Sequence, residues 1–220
     1  MLASADRIRV VWYNYCMRSP LAMVGIGAVV LLAGAWFAFN RSFTAVPEND
    51  NEVTSSTPSP MAENLSLTSP DFEANGSIPG KFTCDGQQVN PALRISGVPS
   101  GAKSLVFLMD DPDIPDVFKK QRGIDAFDHW TLFNIPPSTT EIAQGTTVGT
   151  PGVNGAGKNE YMGPCPPREH EPSEHRYFFK LYALASELSL PPGATKAQVH
   201  EGMQGHVLAE TELIGKYKRP

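Results

Sequence analysis

The sequence predicts a mostly antiparallel β domain with a few peripheral helices, preceded by one transmembrane helix. The chain holds 19 Gly and 20 Pro among its 220 residues, about 18% against a background near 12%, which excludes a coiled coil or a helical bundle. Its apolar runs are short, and long loops rich in Pro and Gly join them with few helical patterns between. One longer apolar run near the N-terminus carries no charge.

The net charge of −5 is unevenly spread along the chain. Residues 1–41 carry a net charge of +3, so the remainder carries −8. An acidic bulk without a basic stripe argues against nucleic acid as a partner. Three cysteines are too few for a disulfide scaffold.

The uncharged run predicts a membrane anchor at residues 19–40. As a helix these 22 residues measure about 33 Å at 1.5 Å per residue, close to the hydrocarbon core of about 30 Å. Arg7, Arg9 and Arg18 precede the run, so residues 1–18 are expected in the cytoplasm and the C-terminal domain outside it, in the periplasm if the host is a bacterium. A cleaved signal peptide and a buried soluble helix are the alternatives, although a signal peptide has a shorter apolar region.

Residues 41–64 predict a flexible linker. From residue 44 onward this segment contains three prolines, a Thr-Ser-Ser-Thr run, four acidic residues and no aromatic residue, a composition that cannot bury enough apolar surface to fold. Residues 65–220 then have the length of one domain.

Five strands and one helix are predicted in that domain. Runs rich in apolar, aromatic and β-branched residues, bounded by turn residues, indicate strands at Ala92–Ser96, Ser104–Met109, His129–Ile135, Arg176–Leu184 and Val207–Ile214. Thr195 with Gln198 three residues later predicts a capped helix start, and Gly205 a stop after Gln204.

Polar residues crowd at the ends of three of these strands. They are Asp110-Asp111-Pro112-Asp113, Asp128-His129-Trp130, and His175-Arg176-Tyr177 together with the stiff loop Gly163-Pro164-Cys165-Pro166-Pro167 before it. Each also has a purely structural explanation, as a turn, a core histidine or a rigid loop. These residues would indicate a functional site only if they converge on one pocket.

Two further sequence motifs match known functional sites only in part, because the surrounding residues do not fit. Residues 152–158 match part of a phosphate-binding P-loop, but Asn159 stands where Ser or Thr must hold magnesium. Residues 170–175 look like a zinc-protease motif, but the two histidines are five apart and Pro172 breaks the helix.

The order of seven motifs resembles the phosphatidylethanolamine-binding protein family, in its bacterial and archaeal branch related to Raf kinase inhibitor proteins. The resemblance runs from about residue 65 to 219 and covers neither anchor nor linker. Its motifs are Phe82-Thr83-Cys84-Asp85-Gly86, Asp111-Pro112-Asp113-Ile114-Pro115, His129-Trp130, Gly163-Pro164-Cys165-Pro166-Pro167, His175-Arg176-Tyr177, Leu181-Tyr182-Ala183-Leu184 and Gly205-His206-Val207-Leu208-Ala209.

The resemblance implies an antiparallel β-sandwich with a small pocket at one end that holds a phosphate or a similar anion. The implied ligand-binding residues are Asp111, Asp113, His129, Gly163, Pro164, Cys165, Pro166, His175 and Tyr177. The aspartates are expected to orient the histidines, and a carboxylate beside each imidazole to raise its pKa. Both histidines are expected at the pocket rim. Cys84 and Cys165, on loops beside the pocket in an oxidising compartment, are candidates for a disulfide.

The expected function is therefore a membrane-tethered, extracytoplasmic binding module for a small anion or phospho-ligand, with no catalytic residue, metal or cofactor. Two alternatives stay open. One is a metal-assisted phosphoester hydrolase that uses Asp111, Asp113, His129 and His175. The other is a protein that inhibits or modulates a protein partner such as a protease or kinase. The segment at residues 90–95, Glu160 and the charged insertion at residues 168–174 depart from the family pattern, so ligand identity is not carried over.

Overall fold

Two antiparallel sheets pack against each other in residues 64–220, the part of the chain that this computed structural model describes. In chain order the strands are β1 (Ser66–Thr68), β2 (Leu93–Ser96), β3 (Ser104–Asp111), β4 (Phe127–Ile135), β5 (Glu141–Ile142), β6 (Thr150–Pro151), β7 (Glu174–Leu184) and β8 (Val207–Lys218). The helices are α1 (Asp116–Arg122) and α2 (Lys196–Met203), with a short 3₁₀ turn at Gly80–Phe82.

The smaller sheet has the order β1-β2-β5 and the larger one β6-β4-β3-β7-β8, and all strand pairs among them are antiparallel. The main core lies between the sheets, where Leu93 and Ile95 of β2 join Phe107 of β3, Trp130 of β4 and Phe179 of β7. A second core lies on the outer face of the larger sheet, under α2. A mostly β, antiparallel domain is thus confirmed.

The five predicted strands are all present, each within a few residues of its expected bounds. The C-terminal strand, β8, runs four residues beyond the expected end at Ile214. The predicted helix is also present, and Thr195 caps it with the expected capping box, since its side chain accepts from the Gln198 amide while Gln198 bonds back to Thr195. The helix α1 and the short strands β1, β5 and β6 were not predicted.

The strand β3 places two adjacent aspartates on opposite faces of the larger sheet. All eight of its residues are buried, with Phe107 and Met109 in the core between the sheets and Leu108 in the core under α2. Because side chains alternate along a strand, Asp111 continues the inner face and Asp110 the outer face. This alternation places the two neighbouring carboxylates on different faces of the sheet.

No helix within residues 64–220 has the length and apolar character needed to cross a membrane. The predicted anchor at residues 19–40 lies outside the described residues. So do the predicted cytoplasmic segment 1–18 and all of the predicted linker except Asn64.

Candidate ligand-binding site

A cavity of about 220 Å³ opens at one end of the larger sheet. The end of β3 and the starts of β4 and β7 meet there because the three strands are antiparallel neighbours. Three polar side chains lie in the cavity, those of Asp111, His129 and His175. Its other lining residues are apolar or disulfide-bonded: Ile114, Pro115, Phe118, Phe127, Met162, Cys165, Pro166 and Pro167.

Asp111 holds the ring of His175 in place. Asp111 Oδ2 lies 2.7 Å from His175 Nδ1, and Asp111 Oδ1 accepts from the backbone amide of Asp113 at 2.8 Å. Asp111 is 4% exposed and His175 is 0% exposed at the side chain. With Nδ1 donating to a carboxylate, His175 Nε2 is left without a hydrogen-bond partner among residues 64–220. A buried polar atom without a protein partner is rare unless water or a ligand forms a hydrogen bond with it.

His129 reaches the cavity through an irregularity in β4. Met109 pairs with Trp130 while the next residue, Asp110, pairs with Asp128, so His129 is the extra residue of a bulge. His129 and Trp130 therefore both face inward, one lining the cavity and the other the core. Bulges commonly redirect a side chain next to a functional site in this way.

The His129 ring is hydrogen-bonded at Nδ1 and has no short polar contact at Nε2 within the described part of the chain. His129 Nδ1 lies 2.7 Å from the carbonyl oxygen of Met162, to which it must donate. Its Nε2 is 4.0 Å from Asp111 Oδ2. Burial lowers the pKa of His129 and outweighs the effects of the Met162 hydrogen bond and of the Asp111 carboxylate, which both raise it. The expected raised pKa is therefore wrong for His129, because desolvation of the charged ring dominates.

The expected position of the two histidines at the pocket rim is also wrong. His129 is 4% exposed and His175 is 0% exposed, and both belong to strands of the larger sheet. They form the buried floor of the cavity, so their replacement touches the core as well as the site.

Tyr177 lies beside the two histidines without lining the cavity. Its ring meets His129 edge to face at 5.2 Å and stacks with His175 at 6.5 Å between centroids. Its hydroxyl has no hydrogen-bond partner among residues 64–220. Burial, and next the Asp111 carboxylate, raise the pKa of Tyr177, so the hydroxyl keeps its proton as a neutral donor.

Asp113 is directed away from the cavity. Its carboxylate accepts two hydrogen bonds from the Arg176 guanidinium, at 2.7 and 2.8 Å, and one from the Arg176 amide at 2.9 Å. The guanidinium hydrogen bonds hold the pKa of Asp113 below its ordinary value. Residues 64–220 contain no group of three or more His, Cys, Asp or Glu side chains placed to hold a metal ion.

The loop at residues 163–167 forms one wall of the cavity and is fixed from behind. Cys165 and Cys84 form a disulfide with a Cα–Cα distance of 5.4 Å, and the Cys84 amide donates to the carbonyl of Pro164 at 3.1 Å. At Gly163 an added Cβ would lie 2.5 Å from the carbonyl oxygen of Phe82, so only glycine permits this approach. Cys165 and Pro166 line the cavity, whereas Gly163 and Pro164 hold the wall in place.

A charged cluster on the outer face of the sheet was not predicted. Lys196 Nζ lies 2.7 Å from Asp110 and 2.5 Å from Asp128, and Lys180 Nζ lies 3.1 Å from Asp110. Burial alone would raise the pKa of Asp110, but the two lysines lower it overall. Burial raises the pKa of Asp128 to about 6. Asp110 fixes α2 to the sheet through Lys196.

The apolar wall of the cavity was also not predicted, although the sequence contains the residues that signal the beginning and the end of α1. Pro115 precedes the first helical residue, Asp116 favours the helix start, and Gly123 ends the helix with φ of 64°, all recognised boundary signals. Phe118 projects from this helix and Phe127 from the start of β4, with 6.4 Å between their ring centroids. Both rings line the cavity.

Comparison with known proteins finds relatives of the described domain. A family model for phosphatidylethanolamine-binding protein matches residues 68–218. A protein of Methanothermobacter thermautotrophicus named UPF0098 protein is 42% identical over 162 residues, which cover 70% of this chain and 99% of the relative. In the solved structures, a phosphatidylethanolamine-binding protein homologue from Chlamydia trachomatis, CT736, is 38% identical with a TM-score of 0.66, and the match covers 72% of this chain and 99% of that one.

A third relative matches beyond the described domain. LppC of Mycobacterium tuberculosis, whose name includes the word lipoprotein, is 35% identical over 205 residues. The match covers 91% of this chain and 96% of LppC, so it includes part of the first 63 residues.

Proposed function

Because this chain belongs to the phosphatidylethanolamine-binding protein family, as its motifs predicted, we propose that its domain binds a small oxyanion or phospho-ligand in the cavity without chemical turnover. One observation carries the proposal. His175 is fully buried, fixed by a carboxylate at Nδ1, and lines the cavity with an Nε2 that has no partner among the described residues. An Nε2–H in this position would donate a charge-assisted hydrogen bond to an anion in the cavity.

The charges in the cavity favour an oxyanion only if the protein takes up a proton when the oxyanion binds. Asp111 carries a negative charge that a second anion would oppose, and His129 is neutral at pH 7 because burial lowers its pKa. An oxyanion near His129 Nε2 favours the protonated ring, so we propose that binding takes up a proton.

We also propose that residues 19–40 tether this binding domain to the outer face of the cytoplasmic membrane. The uncharged run has the length of a membrane span, as required by the thickness of the hydrocarbon core. The match to LppC supports a membrane-associated arrangement, since it extends into the N-terminal 63 residues and that protein's name includes lipoprotein. A protein partner that senses ligand occupancy belongs to the same proposal.

Replacing His175 with asparagine tests the anion site directly. The asparagine amide takes the place of Nδ1 and keeps a donor to Asp111, while the donor at Nε2 is lost. We expect sulfate affinity to fall about tenfold to a hundredfold, the range for a charge-assisted hydrogen bond worth roughly 1.5 to 3 kcal/mol. The measurement is calorimetric titration at pH 6. His206→Asn, at an exposed histidine after α2, is the matched control, and equal sulfate affinity in the two variants would contradict the proposal.

The pH dependence of sulfate binding follows from the lowered pKa of His129. Sulfate stays doubly charged between pH 5.5 and 7.5, so any change in affinity in that range belongs to the protein. Since the free ring is mostly neutral and the bound ring is charged, affinity should rise as pH falls, by up to about tenfold per pH unit for one linked proton. Affinity should level off below the pKa of the free ring. Affinity that is constant, or that increases with pH, would show that no proton is taken up.

A further inference from the structure

We propose that the cavity selects an oxyanion that carries one compact apolar group of about single-ring size, and that Phe118 on α1 determines this preference. The proposal rests on the proposed function, because it adds a second, apolar part to the ligand held at His175. This apolar part of the ligand would contact the apolar walls of the cavity.

The distribution of side chains in the cavity separates two regions. The three polar side chains lie together on the floor, where Asp111 is within 4.0 Å of both imidazoles. The rest of the lining is apolar side chains and the disulfide. A bare phosphate or sulfate offers only oxygen atoms, so it satisfies the floor and leaves the apolar walls in contact with water. A ligand with an apolar substituent satisfies both regions.

The size of the cavity limits the substituent. An apolar cavity of about 150 Å³ is large enough for benzene, and the volume here is about 220 Å³. One ring together with a small polar head therefore fits, whereas a long acyl chain would have to leave the cavity. The ligand class is thus a monoester, or a similar singly substituted oxyanion, with a compact apolar group.

Phe118 is the wall residue that we expect to contact the apolar group of the ligand. No residue of α1 is buried, so the helix presents Phe118 to the cavity without burying it in either core. The ring is held between its neighbours, with the Arg122 guanidinium 4.8 Å from its centroid and Phe127 packed beside it. Arg122 in turn donates to the carbonyl of Gly155 at 3.3 Å. A positioned but incompletely buried ring gains contact when an apolar ligand covers it.

The experiment compares methylphosphonate, phenylphosphonate and octylphosphonate by calorimetric titration. The test protein is residues 64–220, because 99% of the separately crystallised chain of CT736 is matched by this domain and a chain of this extent therefore folds alone. The phenyl compound should bind about tenfold more tightly than the methyl compound, as expected if about 55 Å² more apolar surface leaves water. The octyl compound should gain no further affinity.

Phe118→Ala should lower phenylphosphonate affinity much more than methylphosphonate affinity, so that most of the phenyl preference is lost. Val117→Ala is the matched control, since Val117 is on the same helix and is 62% exposed. Phe118→Leu serves as a second variant if alanine alters α1, and it should retain part of the preference. Urea unfolding midpoints establish that the variants are folded.

The outcomes separate this inference from the proposed function. Equal affinity for methyl- and phenylphosphonate overturns the apolar subsite while leaving the oxyanion site intact. Octylphosphonate binding much more tightly than phenylphosphonate overturns the limit on size and indicates a lipid-like ligand. A phenyl preference that survives Phe118→Ala overturns the role of Phe118. Failure of both sulfate and the phosphonates to bind overturns the proposed function, and this inference with it.

Discussion

Replacing Asp111 with alanine is expected to lower the free energy of unfolding by about 2 to 4 kcal/mol, because two hydrogen-bond donors lose their acceptor and each buried donor left unpaired costs about 1 to 3 kcal/mol. His175 is fully buried and its Nδ1 has Asp111 as partner at 2.7 Å. Without the carboxylate, both ring nitrogens lack partners inside the sheet. The backbone amide of Asp113 also loses its acceptor. Urea unfolding followed by tryptophan fluorescence measures the effect.

Asp113→Ala is the matched control for this prediction, because Asp113 lies on the same turn two residues away. Its bidentate partner Arg176 is 52% exposed at the side chain, and exposed pairs contribute about 0 to 1 kcal/mol. The two aspartates of one motif should therefore differ severalfold in their effect on stability. Equal effects would mean that Asp111 acts only as a turn former. Asp111→Asn should fall between the two, since the amide oxygen can still accept one hydrogen bond.

The pair Asp110 and Asp111 shows what a sequence pattern can and cannot assign in this fold. The end of β3 was predictable, because an apolar run meets three carboxylates there. The face of each carboxylate was not, since all eight residues of β3 are buried and a strand buried on both sides has no alternation of apolar and polar residues. Only the two cores on either side of the sheet assign Asp111 to the cavity and Asp110 to Lys196.

His129 was predicted as a site residue on the strength of its motif, but its orientation depends on a bulge. The extra residue in β4 exists only relative to its partner strand, where Asp110 and Met109 pair with Asp128 and Trp130. The sequence of β4 alone therefore does not reveal which residues of β3 it pairs with. The pKa of His129 was mispredicted for a related reason. A neighbouring carboxylate can be guessed from a motif, whereas the depth of burial that opposes it depends on the whole sheet.

Removing the disulfide should lower the stability of the domain by about 2 to 4 kcal/mol, the usual contribution of a native cross-link. The two cysteines are 81 residues apart, and long closed loops restrict the unfolded chain most. The change is Cys84→Ser together with Cys165→Ser, measured as the urea unfolding midpoint. A reductant should shift the midpoint of the wild-type domain toward that of the double variant and should leave the double variant unchanged.

Oxyanion affinity should fall less than tenfold in the same variant, because other contacts still hold the cavity wall. The Cys84 amide bonds to the carbonyl of Pro164 at 3.1 Å, and the Tyr161 hydroxyl donates to the carbonyl of Phe82 at 2.8 Å. The serine variant keeps both. His175→Asn should show the reverse pattern, with a large loss of sulfate affinity and a smaller loss of stability, since its donor to Asp111 remains. If the serine variant loses sulfate affinity as strongly as His175→Asn does, then the disulfide, and not these hydrogen bonds, sets the position of the wall.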